Sequence, residues 1–137
     1  MKTTNYELSK KLAKIGFKAR TDKCWAKIRG SKLDDFTLRD LDFSIAQNCD
    51  QWFLSYGLEE ILEALPGFLD GNEGGEFNHC SLELYIGYGQ ISYSGILNGG
   101  LNIIINKTRD ESLADTAARL LILLHEKDLI EFGGENE

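Results

Sequence analysis

The chain has 137 residues, of which 42% are hydrophobic and 27% charged, the composition of one folded globular domain. Its 15 Lys and Arg against 22 Asp and Glu give a net charge of −7, which argues against direct binding of nucleic acid or of an anionic membrane surface. The longest aliphatic run, Leu120 to Leu124, is far shorter than the ~20 residues of a membrane span, and the first residues lack the apolar core of a signal peptide. We therefore expect a cytoplasmic protein whose three scattered cysteines are free thiols.

Helical spacing characterises the beginning of the chain. Leu8 and Leu12 recur at a helical interval, and Thr4 and Glu7 have the spacing of a capping box. Gly16 is placed to end this helix in the left-handed conformation. The pattern predicts an N-terminal helix.

The region that follows has the alternation of strands. Residues 24–28 alternate between apolar and polar positions, which predicts a strand. Residues 36–45 alternate as well, with a change of phase at Arg39 and Asp40 that a β-bulge would produce. The aromatic segment 52–56 is compatible with either a short strand or a loop packed on the core.

The second half of the chain contains a short helix and three strand patterns. Residues 57–66 have an apolar helical stripe that ends at Pro66, because the residue before a proline disfavours the helical conformation. Alternation around residues 82–88, 91–93 and 101–105 predicts strands that pair in sequence order as a meander.

The strongest helical pattern covers residues 110–127. Two capping boxes compete for its start, Thr108 with Glu111 and Ser112 with Asp115. The apolar face comprises Leu113, Ala117, Leu120, Leu121 and Leu124, and it is widened by Ile122 and Leu123. A face this wide predicts a helix that is buried on two sides.

Together these elements predict an α+β domain. We expect an antiparallel sheet of four or five strands, with the N-terminal and C-terminal helices packed on one of its faces. The domain is expected to cover residues 1–132, and residues 133–137 form an acidic, flexible tail.

No spacing in the chain is typical of a metal, cofactor or nucleophile site. The candidate metal ligands are Cys24, Cys49, Cys80, His79 and His125. Zinc sites draw on close pairs such as CxxC, whereas the adjacent His79 and Cys80 would point to opposite faces of a strand. We therefore predict no metal and no cofactor, and no catalytic residue can be named.

Acidic residues are the remaining candidates for chemistry. They cluster in two segments, one with Asp34, Asp35, Asp40 and Asp42 and the other with Glu59, Glu60 and Glu63. A solvated acidic face is the first interpretation. Two alternatives stay open: a small hydrolase or nucleotide-handling enzyme that uses these carboxylates, and an acidic decoy that inhibits a nucleic-acid-binding protein of the host.

Three stretches resemble a family of small bacteriophage and prophage proteins. GLEEILEALPGFL resembles the family segment tLaElLelLP, and ESLADTAARLLILLHEKDLI resembles its ending sLAdAlAkLliwLhengl. The opening ELSKKLAKIGF, followed by Trp25, resembles its start sLkeLGf…W, whereas residues 30–51 depart from the family pattern. The resemblance implies a phage or prophage origin and carries no catalytic residue.

The sequence thus predicts a non-enzymatic, phage-associated accessory or protein-interaction protein. We expect a homodimer, because the strand around residues 101–105 is rich in isoleucine and has few charges to protect an edge. The candidate interaction surface consists of Ile103, Ile105, Ile122 and Leu123. A host or phage protein is the other expected partner.

Overall fold

The computed structural model describes residues 2–30, 36–66, 68–70, 79–85, 89–95, 103–128 and 130, of which 68–70, 79–85, 93–95 and 103 are described by their backbone alone. The helices are α1 (Tyr6–Lys14), α2 (Phe43–Asn48), α3 (Leu58–Ala64) and α4 (Leu113–Glu126). The strands are β1 (Lys23–Ile28), β2 (Thr37–Asp40), β3 (Cys49–Ser55), β4 (Phe68–Asp70), β5 (His79–Tyr85), β6 (Gln90–Gly95) and β7 (Ile103–Asn106). The predicted α+β class is confirmed.

The described strands form two antiparallel sheets, not the one sheet of four or five strands that we predicted. The small sheet has the order β2-β1-β3, and the large sheet has the order β4-β5-β6-β7. The predicted meander of β5, β6 and β7 is confirmed. Alternation in the sequence identifies strands but not the strands with which they pair. In chain order, α3 directly follows β3 and separates the strands of the two sheets.

The helices do not share one face of one sheet. α1 packs on β3 of the small sheet and on α4, whereas α4 packs on α3 and on β6 and β7 of the large sheet. The fully buried Leu12, Ile61, Ile91 and Leu120 lie in one hydrophobic cluster, which joins α1, α3, β6 and α4. The main core therefore lies where α1, α3, β6 and α4 meet. The wide apolar face of α4 is buried, as predicted.

The N-cap of α1 differs from the prediction, whereas its C-cap agrees with it. The Asn5 side chain, not Thr4, accepts a hydrogen bond from the Leu8 N–H at 2.8 Å. Thr4 is instead buried, and its hydroxyl accepts a hydrogen bond from the Tyr56 N–H at 3.1 Å. Gly16 has φ of +93°, and the Phe17 N–H reaches back to the Leu12 carbonyl at 2.9 Å, which completes a Schellman motif.

The segment predicted as one bulged strand over residues 36–45 is a strand followed by a helix. β2 ends at Asp40, and the Asp42 side chain caps α2 by accepting a hydrogen bond from the Ser44 N–H at 3.0 Å. Leu41 and Ile45, which we interpreted as alternating strand positions, are four residues apart and pack on the same cluster. The aromatic segment that follows is a strand, β3, so the open choice between strand and loop is decided.

The two later helices begin and end where local chemistry predicts. Leu65 is extended (ψ 130°) before Pro66, which ends α3. Ser112 is the N-cap of α4, because its hydroxyl accepts a hydrogen bond from the Asp115 N–H at 3.1 Å. Within the described residues, no helix is both long and apolar enough to cross a bilayer. The predicted tail, residues 133–137, lies outside the described residues, so the domain boundary stays a prediction.

Candidate protein-interaction site

The candidate metal ligands are not gathered into a site. Cys24 and Cys49 are free, buried thiols in a small hydrophobic cluster beneath Ile45. Burial, reinforced by the neighbouring Cys49, raises the pKa of the Cys24 thiol, so Cys24 is protonated at neutral pH and is a weak nucleophile. Among the residues that the structure describes, no three His, Cys, Asp or Glu side chains lie close enough to hold a metal ion. The side chains of His79 and Cys80 lie outside the description.

Three described members of the acidic clusters have structural partners. Asp40 forms an ion pair with Lys23 across the small sheet. Asp42 caps α2, and hydrogen bonds from Ser44 hold the pKa of its carboxyl below the usual range. Glu60 accepts a hydrogen bond from the Gly57 N–H at 2.6 Å at the start of α3. Asp34 and Asp35 lie outside the described residues, and the hydrolase and decoy alternatives remain predictions.

The predicted interaction surface lies largely against the core of the chain. Ile122 is only 8% exposed, and Ile105 and Leu123 are partly buried against the same cluster. Ile103 belongs to β7, and its side chain is not described. The neighbouring Ile104 is 52% exposed and presents the apolar surface that is accessible on β7. Contact of these residues with a partner stays a prediction.

A concave apolar pocket of about 340 Å³ lies beside the small sheet. It is lined by Ala13, Gly16, Phe17, Lys18, Leu41, Trp52, Phe53, Leu54 and Tyr56. The left-handed Gly16 turns the chain away from α1, so that Phe17 and Lys18 form one wall. Trp52 and Leu54 alternate along β3 and therefore share a face of the sheet, which forms the opposite wall.

Two large exposed side chains occur in or close to the segments of the sequence that line this pocket. Trp52 is 39% exposed, and Phe43, two residues after the pocket-lining Leu41, is 82% exposed. Phe43 and the buried Ile45 are about 200° apart around α2, so the helix cannot bury both. Exposed aromatic side chains beside a concave apolar surface are typical of the residues that dominate protein–protein binding energies.

The polar groups of the pocket do not form an acid–base pair. The Tyr56 hydroxyl donates a hydrogen bond to the Phe17 carbonyl at 3.4 Å, and burial raises the pKa of Tyr56, so the phenol is neutral. Lys18 contributes an ammonium group, and the described residues of the lining include no carboxylate, histidine or cysteine. The pocket is therefore suited to binding and lacks the groups of a hydrolytic site.

A second, more open cleft of about 680 Å³ lies at the beginning of α4. Lys2, Lys107 and Arg109 line it together with Asp110 and Glu111. The Glu111 carboxylate is already engaged, because Arg119 donates to it at 2.6 and 2.7 Å. This cleft combines both signs of charge.

Comparisons with known proteins add no family to this description. No protein-family model, curated protein or solved structure matches the chain. The resemblance to phage and prophage proteins therefore remains a prediction from the sequence motifs.

Phe43 was absent from the candidates because residues 36–45 were predicted as one strand, and Trp52 because its segment was compatible with either a strand or a loop. The segment Asp42-Phe43-Ser44 carries the signature of a helix start, with an N-cap aspartate. Given that helix, a phenylalanine on the side opposite Ile45 would have indicated an exposed aromatic residue.

Proposed function

We propose that this protein is a non-enzymatic protein-interaction protein and that the pocket beside Trp52 is its docking site. The observation that carries the proposal is the exposure of Trp52 (39%) in the lining of a concave apolar surface, together with that of Phe43 (82%), which follows the pocket-lining Leu41 by two residues. The partner is a protein segment that inserts a bulky apolar side chain between Trp52 and Leu54 and covers Phe43.

The apolar surface at this site is large enough to drive binding. A phenylalanine side chain buries roughly 150 Å² or more in an interface, and each Å² contributes about 25 cal/mol. Covering Phe43 alone therefore contributes about 3–4 kcal/mol before the entropic costs of association. The exposed part of Trp52 and the anchor side chain of the partner add to this value.

The alternative as a hydrolase is less well supported by the geometry. A hydrolytic site needs a positioned base or a pair of carboxylates near a cavity. The pocket-lining residues that the structure describes include no carboxylate, and Glu111 of the second cleft is held by Arg119.

The sequence motifs suggest the biological context of the proposed binding function. We propose an accessory role in a bacteriophage or prophage, carried out in the bacterial cytoplasm. The helical segments that carry the resemblance, residues 58–64 and 113–126, form α3 and α4 and pack on each other. The residues around Phe43 belong to the part of the chain that departs from the family pattern, which supports a partner particular to this protein.

Selection from a random displayed-peptide library tests the proposed function. Peptides enriched on the chain should bind at least tenfold more weakly to Trp52→Ala and to Phe43→Ser, measured by fluorescence anisotropy. Leu38→Ser is the matched control, since Leu38 is 45% exposed on β2, does not line the pocket and should leave the affinity unchanged. Enriched peptides that bind all three variants equally would refute the site.

Self-association at β7 is a second proposal, and it rests on a different observation. β7 is at the edge of the large sheet as the described strands form it, and its four residues, Ile103–Asn106, carry no charge. The Lys107 N–H donates to the Gly89 carbonyl at 2.6 Å, and the alternation of antiparallel pairing then directs the Ile104 backbone groups away from β6. A second copy related by a two-fold axis at Ile104 would pair with these groups and cover the exposed side chain.

A further inference from the structure

One segment that contributes to the pocket lining, residues 8–20, is opposite in charge to the whole chain. The chain carries a net charge of −7, yet residues 8–20 contain five cations and no acidic residue. These cations are Lys10, Lys11, Lys14, Lys18 and Arg20, and all five are exposed. This segment forms most of α1 and the turn after it, so the positive charge is concentrated on one element.

The fold places the end of this basic segment beside the pocket. Leu8 and Leu12 turn one side of α1 into the core, which leaves the lysines on the outside. Ala13 lines the pocket, and Lys14 follows it directly, while Lys18 is itself part of the lining. Cations therefore stand beside the surface where an apolar anchor would enter.

Within the described ranges, no carboxylate forms an ion pair with any of these five cations. Lys10 lies over the Tyr6 ring, 5.9 Å from its centroid, which fixes its stem without neutralising it. The Asp42 carboxylate, near the pocket in sequence, accepts hydrogen bonds from Ser44 at the start of α2.

We propose that the docking site recognises an acidic segment of its partner: a bulky apolar side chain flanked by Asp or Glu. The apolar side chain enters the pocket against Trp52 and Leu54, and the flanking carboxylates face Lys14 and Lys18. This inference rests on the proposed function, to which it adds the chemistry of the partner.

The magnitudes assign different roles to the pocket and to the lysines. An exposed ion pair contributes at most about 1 kcal/mol, so the apolar anchor supplies most of the affinity. The cations supply selectivity and a faster association rate. At physiological salt, interactions between exposed charges are screened beyond about 8 Å, so carboxylates far from the pocket repel an acidic peptide only weakly. The lysines near the pocket therefore decide which peptide charge is preferred.

Three fluorescein-labelled peptides test the inference. Each has a central leucine, flanked by glutamates in the first, glutamines in the second and lysines in the third, and anisotropy gives each affinity for the full chain. The acidic peptide should bind at least tenfold more tightly than the basic one, with the neutral peptide between them. The preference should shrink as salt is raised.

Charge variants assign that preference to residues. The double variant Lys14→Glu with Lys18→Glu should reverse the order of the three peptide affinities. If that variant destabilises α1, the double variant Lys14→Gln with Lys18→Gln serves instead, and it should abolish the preference for the acidic peptide. Lys107→Glu with Lys127→Glu changes the net charge by the same amount at exposed positions outside the basic segment, and it should retain the preference.

The outcomes separate the two proposals. Equal binding of the three peptides, with loss of binding in Trp52→Ala, refutes the acidic partner and keeps the docking site. Binding of the acidic peptide that depends on the lysines but not on Trp52 refutes the pocket as the anchor site. Failure of every peptide to bind at high micromolar chain concentration refutes both.

Discussion

Glu111 joins the end of β7 to α4, and its replacement by glutamine gives a measurable loss of stability. Its carboxylate accepts hydrogen bonds from the Thr108 N–H and the Thr116 hydroxyl, both at 3.0 Å, and from Arg119 at 2.6 and 2.7 Å. Arg119 also donates to the Asn106 carbonyl at 2.6 Å. The carboxylate therefore connects strand, turn and helix.

The magnitude follows from the number and type of these bonds. Hydrogen bonds to charged groups contribute about 1.5–3 kcal/mol each, less where solvent reaches them. Arg119 is about one-third exposed, and glutamine retains one acceptor oxygen for the neighbouring donors. We expect Glu111→Gln to lower the free energy of unfolding at pH 7 by about 1–2 kcal/mol.

The pH dependence of this loss has a definite sign. Burial alone would raise the pKa of Glu111, but hydrogen bonds from Arg119, Thr108 and Thr116 outweigh it and lower the pKa below its ordinary 4.5. A carboxyl whose pKa is lower in the folded chain stabilises the fold fully above about pH 4.5, and this contribution disappears as the pH falls through the folded value. The difference between the original chain and Glu111→Gln should therefore shrink as the pH falls below about 4.5 and approaches the lowered pKa of the folded chain.

Urea unfolding of both proteins at pH 7 and at the lowest pH where both remain folded measures this difference. Glu126→Gln, at an exposed position near the end of the same helix, is the control and should change stability by less than about 0.5 kcal/mol. A loss for Glu111→Gln that is equal at both pH values would refute the role of the charge.

Three further predictions concern the core, the thiols and the β7 edge. Leu120→Ala should lower the free energy of unfolding by about 2–5 kcal/mol in urea, because this side chain is fully buried, and a loss under about 0.5 kcal/mol would contradict its place in the core. Thiol titration without reductant should find three thiols per denatured chain and slow reaction of Cys24 and Cys49 in the folded one, whereas one thiol per chain would reveal a disulfide. Sedimentation equilibrium at micromolar concentration should give the mass of two chains, reduced to one by Ile104→Lys; a single-chain mass throughout would exclude the dimer.

Sequence patterns predicted α1, α3 and α4 well, because their signals are local. The Gly16 cap and the Pro66 stop depend on backbone preferences of single residues, and the wide face of α4 depends on spacing within one helix. The division into two sheets depends on which strands meet, and alternation does not encode that choice.

The docking site could not be predicted either, because it depends on which segments of the chain meet in the fold. α2 is only six residues long, so its apolar residues fit a strand pattern as well as a helical one. The pocket combines the end of α1 with residues from the β2–α2 turn and β3, which are distant in sequence. The cations of residues 8–20 were visible in the sequence, but their position beside an apolar pocket required the fold.

Fluorescence of Trp52 gives the most direct test of the docking site. The chain has two tryptophans, so Trp25→Phe leaves Trp52 as the sole reporter at the pocket. Titration with the acidic leucine peptide should shift the Trp52 emission to shorter wavelength in a saturable manner, and the same peptide with glycine in place of leucine should produce no shift. An unchanged Trp52 emission while anisotropy reports saturated binding of the leucine peptide would contradict the site.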